Sequence, residues 1–298
     1  MIKIDLTGRR AFVAGVADER GYGFAIAKAL AEAGATVSAG TWPPALNIFR
    51  KLISSGKIDE ARRLADGGLL EFERIYPLDV AYDTLEDVPA DIQANKRYQG
   101  LGDYTLRGVR EQAVADFGPQ PFDIVIHSVA NSPEVKNPLM ETSRQGYLAA
   151  LSASSYSLIG LLREFAPLMR PGGAFLSLSY LAGRRVVPGY GGGMSSAKAA
   201  LESDTQVLAF EAGTRYGLRV NCISAGPLAS RAATAIGTIN QMIDLSVANS
   251  PLPEVLQAAE VAAVAAFLCS PLASGITGTT VFVDKGYNIM APSGAHEA

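Results

Sequence analysis

The sequence predicts a doubly wound α/β fold, built as one domain spanning residues 1–298. Strand-like and helix-like segments alternate along the chain, and several of the strands are unbroken apolar runs. Such runs belong inside a parallel sheet covered by helices on both faces. A glycine-rich stretch directly after the first strand also sits where such sheets hold their ligands.

Taken in order, Arg10–Gly15 reads as a buried strand, and Gly23–Gly34 as a packed helix with a glycine stop. Thr36–Gly40 and Glu71–Leu78 are the second and third strands. Residues 81–119 are polar and charged and read as an elaborated connection leading into a helix. Phe122–His127 is a continuous apolar strand. A long helical stretch over Thr142–Met169 follows, then a strand at Ala174–Tyr180, a helix at Met194–Tyr216 and a strand at Leu218–Ser224. Glu260–Ser270 is helical and Thr280–Asp284 is a last short strand. No break in composition marks a second domain.

Composition narrows the function. The chain is 48% hydrophobic and 18% charged, which suits a large core and excludes a disordered chain. A net charge of −3 gives no electrostatic reason to bind nucleic acid. Cys222 and Cys269 are far apart, without metal spacing, and read as reduced thiols. His127 and His296 are too few for a histidine metal site. No apolar run reaches the roughly 20 residues that span a bilayer. The start resembles neither a signal nor a transit peptide. The expected location is therefore a bacterial cytoplasm, or a plastid stroma if a transit peptide has been removed.

Gly15-Val-Ala-Asp-Glu-Arg-Gly21-Tyr22-Gly23 lies between a strand and a helix. Glycines there permit a tight turn and close approach to a pyrophosphate, and the helix N-terminus offers free N–H groups to its charge. The predicted sheet is thus Rossmann-type. The spacing departs from G-x-G-x-x-G, so the motif is weak by itself. The acidic residue expected after strand two is also missing: the chain reads Gly40-Thr41-Trp42-Pro43-Pro44. Trp42 is placed to stack on adenine or cover it, although a packing role is also open. No Arg or Lys adjoins it to hold a 2′-phosphate, which favours NADH over NADPH. Asp79 of Leu78-Asp79-Val80 is placed to meet the adenine amino group.

The chemical end is read from Leu178 to Lys198. Short-chain reductases place Tyr and Lys four residues apart on one helix face. Here Arg184 follows Tyr180 by four, and Met194 follows Tyr190 by four. Lys198 lies eight after Tyr190, and glycines 191–193 would loosen the intervening turn. The segment holds three serines, with Ser177 just before it, but no histidine and no G-x-S-x-G elbow, which argues against a hydrolase. Glu202 and Asp204 read as solvated or structural.

Across nearly its whole length the chain resembles the enoyl-acyl-carrier-protein reductases of type II fatty-acid synthesis, in their plastid and chlamydial-like branch. The resemblance is carried by Gly21-Tyr-Gly-Phe-Ala-Ile-Ala-Lys, Gly40-Thr-Trp, His127-Ser-Val-Ala-Asn-Ser-Pro-Glu, Pro188-Gly-Tyr-Gly-Gly-Gly-Met-Ser-Ser-Ala-Lys-Ala-Ala-Leu-Glu-Ser-Asp-Thr and Ile223-Ser-Ala-Gly-Pro-Leu-Ala-Ser-Arg-Ala. It implies an NADH-dependent reductase of the enoyl double bond in fatty-acid elongation, acting on acyl carrier protein as a homotetramer. It also implies that Tyr190 hydrogen-bonds the thioester carbonyl and that Lys198 binds the nicotinamide ribose. Tyr180 would line the acyl pocket, with Ala130 beside the substrate. The cofactor would touch Gly15, Gly21, Tyr22, Trp42, Asp79, Val80, Ser128, Val129, Leu178, Leu228, Ala229 and Ser230. Residues 231–250, apolar with few charges, fit a lid over the acyl chain.

Two positions depart from the family. Gly183-Arg184 replaces a Ser-Glu or similar pair, and Lys285 replaces an Asn or His. Both are expected to affect surface contacts and not the chemistry. Two rival readings remain, a short-chain carbonyl reductase and a nucleotide-binding protein that has lost catalysis. The Tyr–Lys spacing opposes the first, and the presence of Tyr190 and Lys198 opposes the second.

Overall fold

The computed structural model describes residues 3–234 and 237–291. Both chain ends, with His296, and Ala235–Ile236 of the expected lid lie outside the described residues. Seven parallel strands form one sheet: β1 (Arg10–Ala14), β2 (Thr36–Thr41), β3 (Phe72–Pro77), β4 (Ile124–His127), β5 (Ala174–Ser179), β6 (Arg219–Ala225) and β7 (Thr280–Val283). Their order is β3-β2-β1-β4-β5-β6-β7. The chain reverses direction across the sheet between β1 and β4, which makes their carboxyl ends the switch point where such sheets bind ligands.

Alternation within each strand fills two cores. Val13 and Ile126 face one side with helix α1 (Tyr22–Glu32). Phe12 and Val125 face the other. There the Phe12 ring stacks on Phe122 at 5.2 Å between centroids and lies 5.6 Å from Phe165. All three rings are essentially inaccessible to solvent.

The strands and most helices follow the sequence reading. Helix α2 (Pro43–Ser54) is one that the sequence reading left unassigned. Proline at the first helical positions forfeits no hydrogen bond, so the pair starts the helix, and Leu46 and Phe49 bury its inner face. The connection over 81–119 ends in helix α3 (Leu106–Phe117), as expected. The stretch over Thr142–Met169 is not one helix. Helix α4 (Arg144–Leu151) and helix α5 (Ser157–Phe165) are joined by a π-helical turn at Ser152–Tyr156. Serine hydroxyls competing for backbone groups account for the break. The Ser154 hydroxyl accepts from the Asn131 amide at 2.9 Å and donates to the Asn131 carbonyl at 3.0 Å. That of Ser157 donates to the Ala153 carbonyl at 2.8 Å.

Helix α6 (Met194–Tyr216) crosses the sheet above β5 and β6, and helix α7 (Ile239–Ala248) lies over its end. Helix α8 (Ala258–Cys269) packs beside α1. Arg219 is buried at the start of β6 and donates to the carbonyls of Leu268 and Ser270, capping α8 with charge-assisted bonds.

Because Phe12 joins three aromatic neighbours at the centre of its core, Phe12→Ala should cost about 3–5 kcal/mol. Urea denaturation should show a lowered midpoint with an unchanged slope. A loss below about 1 kcal/mol would mean that the ring cluster does not hold this face.

Candidate active site

The turn after β1 is shaped by contact with the end of β4. Gly15 has φ of +102°, and a Cβ there would lie 2.1 Å from the Ser128 carbonyl oxygen. A Cβ on Gly23 would meet the Gly15 carbonyl at 2.8 Å. Only glycine fits either position. Gly21 differs: nothing lies within 4 Å of a Cβ built there, so its backbone faces open space at the N-terminus of α1. No side chain caps that end, which leaves its amides free for an anion. From β2, the Thr41 hydroxyl braces the loop by donating to the Val16 carbonyl at 2.6 Å.

Trp42 is half exposed beyond β2, and its indole N–H donates to Asp79 at 3.2 Å. Asp79 also accepts from the Tyr98 hydroxyl at 2.7 Å and from the Ala81 amide at 3.1 Å. Its first task is thus to orient Trp42, leaving little capacity for an adenine amino group. Val80 is buried in the aromatic core behind it. Tyr22 points away from the loop, and its hydroxyl donates to the Gly226 carbonyl at 2.8 Å.

The chemical residues gather at the end of β5. Tyr180 and Tyr190 meet edge to face, with centroids 5.1 Å apart. Among the described residues no protein group takes either hydroxyl. Burial raises both phenols well above their usual pKa, with neighbouring tyrosines adding to the effect at Tyr180. Lys198, one turn into α6, is buried and donates to the Leu178 carbonyl at 2.8 Å. Burial pulls its ammonium down to about 8, while Cys222 and Glu202 oppose the shift.

The glycine triplet does more than relax a helix start. A Cβ on Gly191 would lie 2.1 Å from the Asn137 carbonyl oxygen, and one on Gly192 would lie 2.4 Å from that of Glu134. The Gly192 amide donates to Asn137 at 2.9 Å, and the Ser132 hydroxyl donates to the Gly192 carbonyl at 2.8 Å. The segment after β4 therefore seats the tyrosine loop as firmly as it seats the nucleotide loop.

Most expected contacts line this edge. Ser128 and Val129 face Gly15, and Ala130 is exposed beside them. Leu228 and Ser230 are partly buried after β6, Ala229 is exposed, and the Ser230 hydroxyl accepts from the Ala233 amide at 3.2 Å. Ile239 and Met242 of the 231–250 stretch pack over Tyr180 and Leu181.

Three features escaped the sequence reading. Buried Asp18 in the nucleotide loop pairs with Arg231 at 3.4 Å. Glu202 is not solvated: it is buried, and it holds Ser179 and Arg184. The two family departures also have structural partners. Arg184 binds Glu202 at 2.5 Å, and its guanidinium lies 5.0 Å from the Phe282 ring centroid. Lys285 binds Glu260 at 2.6 Å and Glu254 at 3.4 Å. A long cation on a short loop leaves no such partnership visible in sequence.

Residues 103–288 match the family model described as enoyl-(acyl carrier protein) reductase. The chain belongs to that family. It is 62% identical to the rice chloroplastic enoyl-[acyl-carrier-protein] reductase [NADH] 1 over 97% of this chain and 76% of that one. The Arabidopsis thaliana chloroplastic enoyl-[acyl-carrier-protein] reductase [NADH] is 58% identical, over 97% and 74%. The solved structure of Plasmodium berghei enoyl-acyl-carrier-protein reductase with triclosan matches with a TM-score of 0.91 at 46% identity, covering 95% of this chain and 98% of that one. The sheet of this reductase family member is that of its structural relatives, and the rival carbonyl-reductase reading falls.

Gly15→Ala tests the seat between β1 and β4. The methyl cannot share space with the Ser128 carbonyl, so NADH affinity should fall at least tenfold, equivalent to about 1.4 kcal/mol. Unchanged affinity in a fluorescence titration of NADH would mean that the loop plays no part in binding.

Proposed function

We propose that this chain reduces the trans-2 double bond of enoyl thioesters carried on acyl carrier protein, with NADH as reductant, in fatty-acid elongation. The observation that carries this reading is the Tyr180–Tyr190 pair beside buried Lys198, at the sheet edge that also holds the nucleotide loop. The reaction named for the rice and Arabidopsis relatives supports it.

The residues present fit a dinucleotide. The open face of Gly21 and the uncapped start of α1 suit a pyrophosphate. Trp42 offers an exposed ring for adenine, with Asp79 holding its edge and Val80 behind. Gly15, Ser128 and Val129 form the floor, while Leu228, Ala229 and Ser230 stand at the far side. Tyr22 holds the loop to Gly226. Lys198 would turn from Leu178 to the nicotinamide ribose hydroxyls. When bound, NADH supplies a hydride to the β-carbon of the enoyl group.

The protein's part is charge stabilisation and placement. Negative charge then develops on the thioester oxygen, Tyr190 donates a hydrogen bond to it, and a proton from solvent completes the reduction at the α-carbon. A phenol with a raised pKa keeps its proton and acts as a donor throughout. Tyr180 packs against Tyr190 and shapes the space beside the reacting carbons, next to Ala130. Residues 231–250 act as the lid, with Ile239 and Met242 available to the acyl tail.

The finer partnerships are proposals as well. Helices α4–α5 and α6 leave Leu148, Tyr156, Val207 and Phe210 exposed, apolar surface that assembly into a homotetramer would cover. No described helix is long and apolar enough to cross a membrane. Of the two expected locations, the chloroplastic names of the plant relatives favour the plastid stroma.

The direct test follows NADH absorbance with crotonyl-CoA, with a simple ketone and with no acceptor. Oxidation should require crotonyl-CoA, and NADPH should be a much poorer donor. Turnover of the ketone alone would refute the reading.

Tyr190→Phe removes one donor to an oxyanion, a loss of ~2.7–4 kcal/mol in favourable cases. Its kcat should drop by roughly 10²-fold, with NADH binding nearly unchanged. Tyr180→Phe keeps the ring and should act mainly on KM for the thioester. Steady-state kinetics of the two variants would reverse the roles if Tyr180→Phe lost more kcat.

A further inference from the structure

Glu202 is a carboxylate buried inside α6, where an unpaired charge would be costly. Both oxygens are engaged. One accepts from the Ser179 hydroxyl at 2.6 Å and the other from the Arg184 guanidinium at 2.5 Å. These donors flank Tyr180 in the chain: Ser179 ends β5, and Arg184 follows the single turn Leu181–Gly183. One carboxylate thus closes the loop that carries Tyr180. Glu202 also lies four residues after Lys198, on the same face of α6. Lys198 grips Leu178 while Glu202 grips Ser179, so consecutive residues of β5 are held by consecutive turns of one helix.

We propose that Glu202, held by Arg184, is a positioning residue: it fixes the Tyr180 loop against α6 and presents its carboxylate on the helix face that carries Lys198. This rests on the assignment of Lys198 to cofactor binding. Arg184 acts through Glu202, and its guanidinium is further held near the Phe282 ring of β7.

Among the groups around Lys198, Glu202 is the one engaged in an ion pair, with Arg184. His127 of β4 is held by burial at about 3 and is uncharged. The thiol of Cys222 on β6 is pushed by burial to about 11 and is also uncharged. Ser177 of β5 does not titrate. Leu178 contributes only a carbonyl, and the Tyr180 phenol keeps its proton because burial raises it. Lys198, near 8, is charged below that pH and loses its charge as pH rises through it. NADH affinity that depends on the ammonium should fall across the same window.

The two partners should then move that window in opposite directions. Glu202→Gln keeps the shape and a hydrogen bond to Ser179 but removes the negative charge. The pH at which NADH affinity is half lost should drop by about one unit, the size expected for a close buried opposite charge. Arg184→Met removes the competing cation and leaves the carboxylate. The midpoint should rise, and KM for the thioester should rise through the loosened Tyr180 loop. Arg184→Lys should restore both. NADH binding is read by fluorescence between pH 6 and 10, which does not depend on which acyl substrate the enzyme accepts. Arg184 is half exposed, so its variants remain informative even if Glu202→Gln folds poorly. Midpoints that move in the same direction, or stay fixed while melting temperatures fall, would reduce Glu202 to a structural ion pair.

Discussion

Three backbone contacts too close for any Cβ hold the site together, and all fall on the segment that follows β4. On one side the Ser128 carbonyl abuts Gly15, and on the other the Glu134 and Asn137 carbonyls abut Gly192 and Gly191. The nucleotide turn and the tyrosine loop come from opposite halves of the doubly wound sheet. They meet only because this short stretch passes between them and glycines let both approach. Glu134 secures it from outside, accepting from the Ser143 amide at 2.7 Å and hydroxyl at 2.5 Å where α4 begins. Asn131 is held from inside by Ser154 of the π-helical turn. The break in the α4–α5 rod thus belongs to the machinery that sets the site.

A second constraint is polar. The face of the sheet beneath α6 carries His127, Ser177, Cys222 and Ser179, all buried, where an ordinary core would place aliphatic side chains. This suits a helix that must deliver a lysine and a glutamate inward. The His127 Nε2 meets the Ser157 hydroxyl at 2.7 Å, while its Nδ1 has no partner among the described residues. The region is therefore polar without being fully paired, a state that stability alone would not favour.

Sequence periodicity located every strand to within a residue or two, because buried parallel strands are contiguous apolar runs whose pattern survives without tertiary context. It also placed Tyr190 ahead of the helix and Lys198 within it, since three glycines cannot continue a helix start unaided. It failed where meaning depends on partners distant in the chain. Pro43-Pro44 signals a turn or a helix start with equal force, and only the burial of Leu46 and Phe49 decides between them. The π-helical turn at Ser152–Tyr156 follows from hydroxyl bonds to Asn131 that no local pattern reveals. Glu202 and Arg184 are 18 residues apart, and neither one's partner is visible in the local sequence. Asp79 lies on the anticipated edge, but its duty to Trp42 and Tyr98 emerges only in three dimensions.

Trp42 is the single indole in 298 residues, and it stands half exposed at the nucleotide end with its N–H on a carboxylate. Light absorbed selectively by indole therefore reports from one address, with no second emitter to dilute it. The emission colour follows the polarity around that ring, so an adenine sliding over it would displace water and alter both intensity and wavelength. With the adenosine placed as proposed, the protein would carry its own spectroscopic gauge of that subsite, independent of any chemistry at the other end of the cofactor.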